Sequence, residues 1–205
     1  AVDAVPAGNG APFVIAVRPG TCRGRVVIPS DRPLITMAGL GRRPHDVVIA
    51  DDRANGTPNP AGGTWGTTGS ASVTVDGAGF RAHDLTFANL FDEAAHPEIT
   101  GRQAVAVLTR ADRVAFSRVR FLGNQDTLYV NSSAAGVVAR AYFRDCYVEG
   151  DVDFIFGAGV AMSSESCPSP CRSRWYCAVR LMSSLMKAAL TCPVRATTAL
   201  TIVSS

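Results

Sequence analysis

Hydrophobic positions along this chain fall in short runs of alternating character and not in long stretches of helical period. Val26-Val27-Ile28, Val47-Val48-Ile49, Val73-Thr74-Val75, Leu85-Thr86-Phe87, Val105-Ala106-Val107 and Phe154-Ile155-Phe156 are rich in β-branched and aromatic residues. Clusters of Gly, Asn, Asp and Pro separate them, which is how strands closed off by turns read in a sequence. No long run carries the 3.6-residue period of an amphipathic helix.

A loose repeat overlies these runs. Phe80-Arg81-Ala82-His83-Asp84-Leu85-Thr86-Phe87, Phe116-Ser117-Arg118-Val119-Arg120-Phe121 and Phe143-Arg144-Asp145-Cys146-Tyr147-Val148 each join an aromatic, a basic residue and an alternating strand. They start at Phe80, Phe116 and Phe143, so the second interval is shorter than the first. One or two short strands per imperfect repeat predict an all-β solenoid. A β-sandwich, with turns every ~8–12 residues, is the alternative.

The pattern changes at Val160. Residues 160–205 contain no Gly, Asp, Asn, Gln, His or Phe, whereas all 19 glycines lie before them. A coil needs Gly and Asn at its corners, so the expected organisation is a β-helix over residues 1–159 and a divergent tail over 160–205. That tail is expected to be a helical appendage around Leu181–Leu190 or, preferentially, a segment foreign to the fold through a misread frame, a mis-spliced end or a disordered extension.

Charge sharpens this division. The net charge of +3 comes from the tail, since residues 1–159 hold 15 basic against 16 acidic side chains. The body therefore gives no sign of a nucleic-acid partner. No run approaches the ~20 apolar residues of a membrane span, so no membrane partner is expected. The start at Ala1-Val2-Asp3, without Met or an apolar leader, predicts a fragment or a processed form whose secretion signal has been removed. The sequons Asn55-Gly56-Thr57 and Asn131-Ser132-Ser133 permit a secretory life.

Candidate chemistry concentrates in three runs: Gly101-Arg102-Gln103-Ala104, Gly123-Asn124-Gln125-Asp126-Thr127-Leu128-Tyr129-Val130 and Gly150-Asp151-Val152-Asp153-Phe154-Ile155-Phe156-Gly157. The interval from Gln103 to Gln125 and the interval from Asp126 to Asp153 are each the length of one short coil. In a solenoid of that period these side chains stack on neighbouring rungs, ~4.8 Å apart. Most acidic residues of a strand-rich protein cap turns, but Asp126 and Asp153 each abut an apolar run, where an unpaired carboxylate is costly. Two close carboxylates push their pKa values apart and so supply a general acid beside a nucleophile or base. Gln103 and Gln125 add neutral N–H donors suited to an oxyanion. Competing sites are weaker. There is no Gly-x-Ser-x-Gly elbow, the histidines share no ligand spacing, and Pro168 and Pro170 interrupt the Cys167, Cys171 and Cys177 group that would otherwise suggest zinc. Cys146 reads as a small buried group or a disulfide partner.

These runs resemble the signature segments of the pectin methylesterases, and the resemblance spans roughly residues 12–159. Val17-Arg18-Pro19-Gly20-Thr21, Thr64-Trp65-Gly66-Thr67, Ser70-Ala71-Ser72-Val73 and Leu85-Thr86-Phe87-Ala88-Asn89 belong to it. It implies a right-handed parallel β-helix, here incomplete at its C-terminal end, that hydrolyses methyl esters of cell-wall homogalacturonan. By resemblance, Asp153 is the nucleophile, Asp126 the acid and then the base, and Gln103 and Gln125 the oxyanion donors. Ser72, Tyr129 and Phe154 are implied to contact the sugar, and Cys146 to bridge to the following coil, with Cys167 near the right distance. The resemblance further implies no metal or organic cofactor, a secreted monomer in the cell wall, pectin as substrate and a proteinaceous pectinesterase inhibitor as partner.

Departures bear on activity. Cys22 and Gly24 replace the family's Tyr and Glu in the first motif. No Arg-Pro-Trp follows residue 157, and Arg174-Trp175 is not that motif. The family's Arg there charges and positions the nucleophile, so weak activity is expected of this chain. The alternatives are a catalytically inactive wall protein, a polygalacturonase or a pectate lyase.

Overall fold

The computed structural model of the chain describes residues 1–164 and the backbone of 198–201. The apolar runs form strands, each stacked on another one coil away. The first coil holds Phe13–Val17 (β1), Gly20–Arg23 (β2) and Val26–Ile28 (β3). The second holds Ile35–Gly39 (β4), Val47–Asp51 (β5) and Val73–Val75 (β6). In the next two coils the first pair of strands is continuous: Arg81–Asn89 (β7) leads to Val107–Thr109 (β8), and Val114–Leu122 (β9) to Leu128–Val130 (β10). Arg140–Arg144 (β11), Tyr147–Glu149 (β12) and Ile155–Phe156 (β13) complete the fifth, and Val160–Ser164 (β14) starts another.

Three faces result. β1, β4, the first halves of β7 and β9, β11 and β14 pair along one face. β2, β5, the second halves of β7 and β9, and β12 pair along the next. β3, β6, β8, β10 and β13 make the third. Every one of these pairings is parallel, which excludes a sandwich of hairpins, because parallel neighbours need a long crossover. The architecture is a parallel β-helix, as the repeat predicts.

Corners are built from left-handed residues. β7 and β9 bend between faces at Asp84 and Arg118, with φ of 60° and 52°, and Asp145 repeats this at φ 53°. Asp is among the residues that tolerate this region. The Arg118 guanidinium donates to both Asp84 carboxylate oxygens, at 2.6 and 2.7 Å, and clips two corners together. Inside, Phe80, Phe87, Phe116 and Phe121 are fully buried. Each contributes roughly 1.5–3 kcal/mol by removing its side chain from water.

The repeat holds in one interval and slips in the other. Phe116 stands directly opposite Phe143, with ring centroids 5.1 Å apart. The register partner of Phe116 on the preceding coil is Ala82, not Phe80, so that coil is slightly shorter than the motif spacing predicts. Val160–Ser164 pairs in parallel with Arg140–Arg144, so the sheet runs on past the boundary expected at residue 159. Thr198–Thr201 lies antiparallel to β14. Residues 165–197 and 202–205, with Cys167, Cys171, Cys177, Arg174-Trp175 and the helix expected around Leu181–Leu190, lie outside the described residues.

Candidate active site

Strand alternation on the third face sends Val26, Val73, Val107, Leu128 and Ile155 into the core as one register column. The chain just before β8, β10 and β13 brings the candidate residues to neighbouring rungs. Asp126 N–H donates to Val152 O at 3.0 Å and Leu128 N–H to Phe154 O at 2.8 Å, which sets Asp126 beside Asp153. Ala104 N–H donates to Gln125 O at 3.0 Å, which sets Gln103 beside Gln125. The interval between the two glutamines is thus one coil, as expected. Ala106 and Val107 then both donate to Thr127 O, at 2.9 and 3.2 Å. This bulge absorbs an extra residue, so the register moves on and Val107 meets Leu128.

Both acids have left-handed backbones, with φ of 68° at Asp126 and 44° at Asp153. Non-glycine residues held there cost of order 1 kcal/mol or more and persist where their surroundings fix them. Those surroundings are two interlocked turns. Thr127 Oγ1 donates to Glu149 O at 2.8 Å, and Asp151 N–H donates to Asn124 O at 3.1 Å. Gly150 fits between them because a Cβ would collide with Phe154 Cβ and come within 2.6 Å of Asn124 O and Thr127 Oγ1.

Electrostatics separate the pair. Asp126 is only 6% exposed, whereas Asp153 is open to solvent. Burial, and secondarily the negative charge of Asp153, raise the Asp126 pKa to about 6. A carboxyl group that holds its proton up to about pH 6, well above the ordinary carboxylate range, therefore sits one rung from an exposed carboxyl group. Among the described residues neither acid forms an ion pair.

Gln103 is oriented by a residue the sequence marked only as a sequon. Asn55 Nδ2 donates to Gln103 Oε1 at 2.9 Å and to Thr67 Oγ1 at 3.2 Å. With its oxygen occupied, the Gln103 amide keeps its Nε2 donors for another acceptor. The loop carrying Asn55 is pinned from below by buried Asn89, whose Nδ2 faces Arg53 O, Ser70 O and Val105 O at 2.9, 3.1 and 3.1 Å.

This β-helix, which stacks Gln103, Gln125 with Asp126, and Asp153 on three neighbouring rungs, has known relatives. The pectinesterase family model matches residues 1–171. The chain belongs to the pectinesterase family. Pectinesterase 31 of Arabidopsis thaliana is 40% identical over 181 residues, covering 86% of this chain and 52% of that protein. The solved pectin methylesterase PemA from Erwinia chrysanthemi is 34% identical with a TM-score of 0.70, over 79% of this chain and 47% of its own. A pectin methylesterase crystallised in complex with hexasaccharide VII gives 36% and 0.71 over 79% of this chain and 47% of its own. The chain spans about half the length of these relatives.

Other expected positions in this pectinesterase-family chain divide. Half-buried Tyr129 stacks on Phe156 with centroids 4.1 Å apart, and half-buried Phe154 leans on the Gly150 turn. Phe156 is absent from the residues expected from the sequence, although it follows Tyr129 by the same interval that separates the two acids. Ser72 is fully buried, and its Oγ accepts from Asp51 N–H at 3.2 Å, so it is out of reach of a sugar and is set aside as a contact. Asn131 Nδ2 donates to Tyr129 Oη at 3.0 Å. The amide nitrogens of both sequon asparagines are therefore engaged beside the site. Burial pushes the Cys146 thiol up to about 11, which makes it a poor nucleophile.

Proposed function

We propose that this chain hydrolyses methyl esters of galacturonate in pectin, releasing methanol and a free carboxylate. The observation that carries the reading is the unequal pair on adjacent rungs: Asp126 buried with a pKa of about 6, and Asp153 exposed. The Asp153 carboxylate attacks the ester carbonyl carbon, and amide N–H groups of Gln103 and Gln125 receive the developing oxyanion. As the tetrahedral intermediate collapses, the bond to the methoxy group breaks and the Asp126 proton passes to it, giving methanol and an acyl anhydride on Asp153. Asp126, now a carboxylate, takes a proton from water. The hydroxide attacks the acyl carbon, the free acid leaves, and Asp153 regains its carboxylate. No step calls for a metal or organic cofactor.

A β-helix with two carboxyl groups also suits glycosidic cleavage, so the test follows products. Methylated homogalacturonan should yield methanol without new reducing ends and without an unsaturated product absorbance. Reducing ends would indicate a polygalacturonase, and unsaturated product a pectate lyase. The absence of an ion-paired cation at Asp153 among the described residues favours a second reading, a wall protein that binds pectin with little turnover. Binding without methanol release distinguishes it. Secretion to the cell wall, a monomeric state and a proteinaceous pectinesterase inhibitor as partner belong to the same family-based reading.

A further inference from the structure

Two guanidinium groups face Trp65, on the loop that also carries Asn55, and a third lies within electrostatic reach of one of them. Arg53 lies 4.5 Å and Arg25 6.0 Å from the Trp65 ring centroid, and Arg110 is close enough to act on the charge of Arg25. Arg53 is neutralised by Asp51, through Nε at 2.6 Å and Nη2 at 2.5 Å. Arg110 is neutralised by Asp76, through two hydrogen bonds of 2.8 Å. Among the described residues Arg25 forms no ion pair and no side-chain hydrogen bond, and it is exposed. Two acids against three arginines leave one positive charge, borne by the residue that faces solvent. Its pKa is lowered, first by partial burial and then by Arg53, and the opposing pull of Asp51 and Asp76, each already bonded to another arginine, does not restore it.

The patch is part of the candidate active-site face. Arg25 directly precedes β3, whose Val26 and Ile28 point into the core, so Arg25 projects to the outer surface. β3 and β13 are the two ends of the same five-stranded sheet, four strand steps apart, which is about 19 Å at ~4.8 Å per step. Asn55 touches Gln103, Trp65 faces Arg25, and both belong to one loop, so a single wall runs from the acids to the cation.

We propose that Arg25, framed by Trp65 and Arg53, is a subsite for a free uronate carboxylate several sugars away from the ester held at Asp153. This rests on the pectin reading and narrows it: the preferred substrate is a partly de-esterified chain, with acidic sugars at the Arg25 end and a methyl ester at the acids. A methyl ester has no charge to offer Arg25. A carboxylate matches a guanidinium fork with charge-assisted hydrogen bonds, while an apolar sugar face can lie on Trp65.

The test is calorimetric titration of the whole chain, in low salt, with galacturonate oligomers long enough to span the face. Unesterified and fully methylated forms are titrated into wild type, Arg25→Gln and Arg25→Lys, with melting curves confirming that the variants fold. Wild type should bind the unesterified oligomer about tenfold or more tightly than the methylated one, the scale of one charge-assisted hydrogen bond. Arg25→Gln should abolish that preference and Arg25→Lys retain part of it. Equal affinity for both oligomers in wild type, or an unchanged preference in Arg25→Gln, overturns the proposal, as does failure of wild type to bind either. Methanol release is measured separately. Carboxylate preference without methanol release would remove the esterase reading alone, and methanol release with an unchanged Arg25→Gln preference would remove the subsite alone.

Discussion

Asn55 Nδ2 and Gln103 Oε1 are joined by a 2.9 Å hydrogen bond across a full coil of the helix. The bond decides which end of the Gln103 amide is free, and therefore whether that side chain offers a donor or an acceptor in the proposed reaction.

Asn55→Asp removes the donor and presents only acceptors, so Gln103 turns its Nε2 toward residue 55 and its oxygen toward the substrate. Loss of one oxyanion donor costs ~10²–10³ in kcat. We expect kcat to fall on that scale with KM little changed, in protein made in a host that does not glycosylate sequons. A change confined to KM would place Asn55 in binding and not in orienting Gln103.

Asp153 acts on Asp126 through its charge, but burial is the larger cause of the raised pKa. Asp153→Asn should therefore lower the Asp126 pKa from about 6 while leaving it above the ordinary 3.8. Carboxyl ¹³C shifts followed by NMR through a pH titration report this directly. An unchanged value would mean the two acids do not face one another.

Burying Asp126 also has a stability consequence. Its folded pKa lies above its unfolded value, so the native state holds the proton more tightly. Stability is lost as pH rises from about 4 to about 6 and stays lower above that. At ~1.4 kcal/mol per pKa unit, the ionised form costs the fold about 2–3 kcal/mol near neutral pH. Asp126→Asn does not titrate. Its stability relative to wild type should therefore rise by that amount between about pH 4 and about pH 8, as read by denaturant melts. A difference that does not vary with pH would contradict the burial argument.

The fold was legible where a coil carries only a short insertion. Between Asp126 and Asp153 the chain closes one turn with only the short loop 131–139 added, so two acids and two aromatics, Tyr129 and Phe156, fall into register together. The second coil is different: Thr36 meets Arg81 only after a long detour, because the loop bearing Asn55 and Trp65 is inserted before β6. No local pattern announces that Asn55 will meet Gln103 on the next coil, or that Ser72 will be sealed in by Asp51 across the inserted loop. The bulge at Ala106 and Val107 was equally silent, because it depends on two N–H groups converging on one carbonyl of the next rung. Val160–Ser164 buries only Ala161 and exposes Val160 and Met162, and this weak pattern, with the change of composition there, concealed one more parallel strand.

The account stands or falls on the pair of acids. The most direct measurement is methanol release from highly methylated homogalacturonan by wild type, Asp153→Asn and Asp126→Asn, with folding of each verified by circular dichroism. Wild type should release methanol above the uncatalysed background, Asp153→Asn should fall to that background, and Asp126→Asn should lose most of the rate. Methanol release by Asp153→Asn at the wild-type rate would contradict the assignment of Asp153 as nucleophile and, with it, the proposed mechanism.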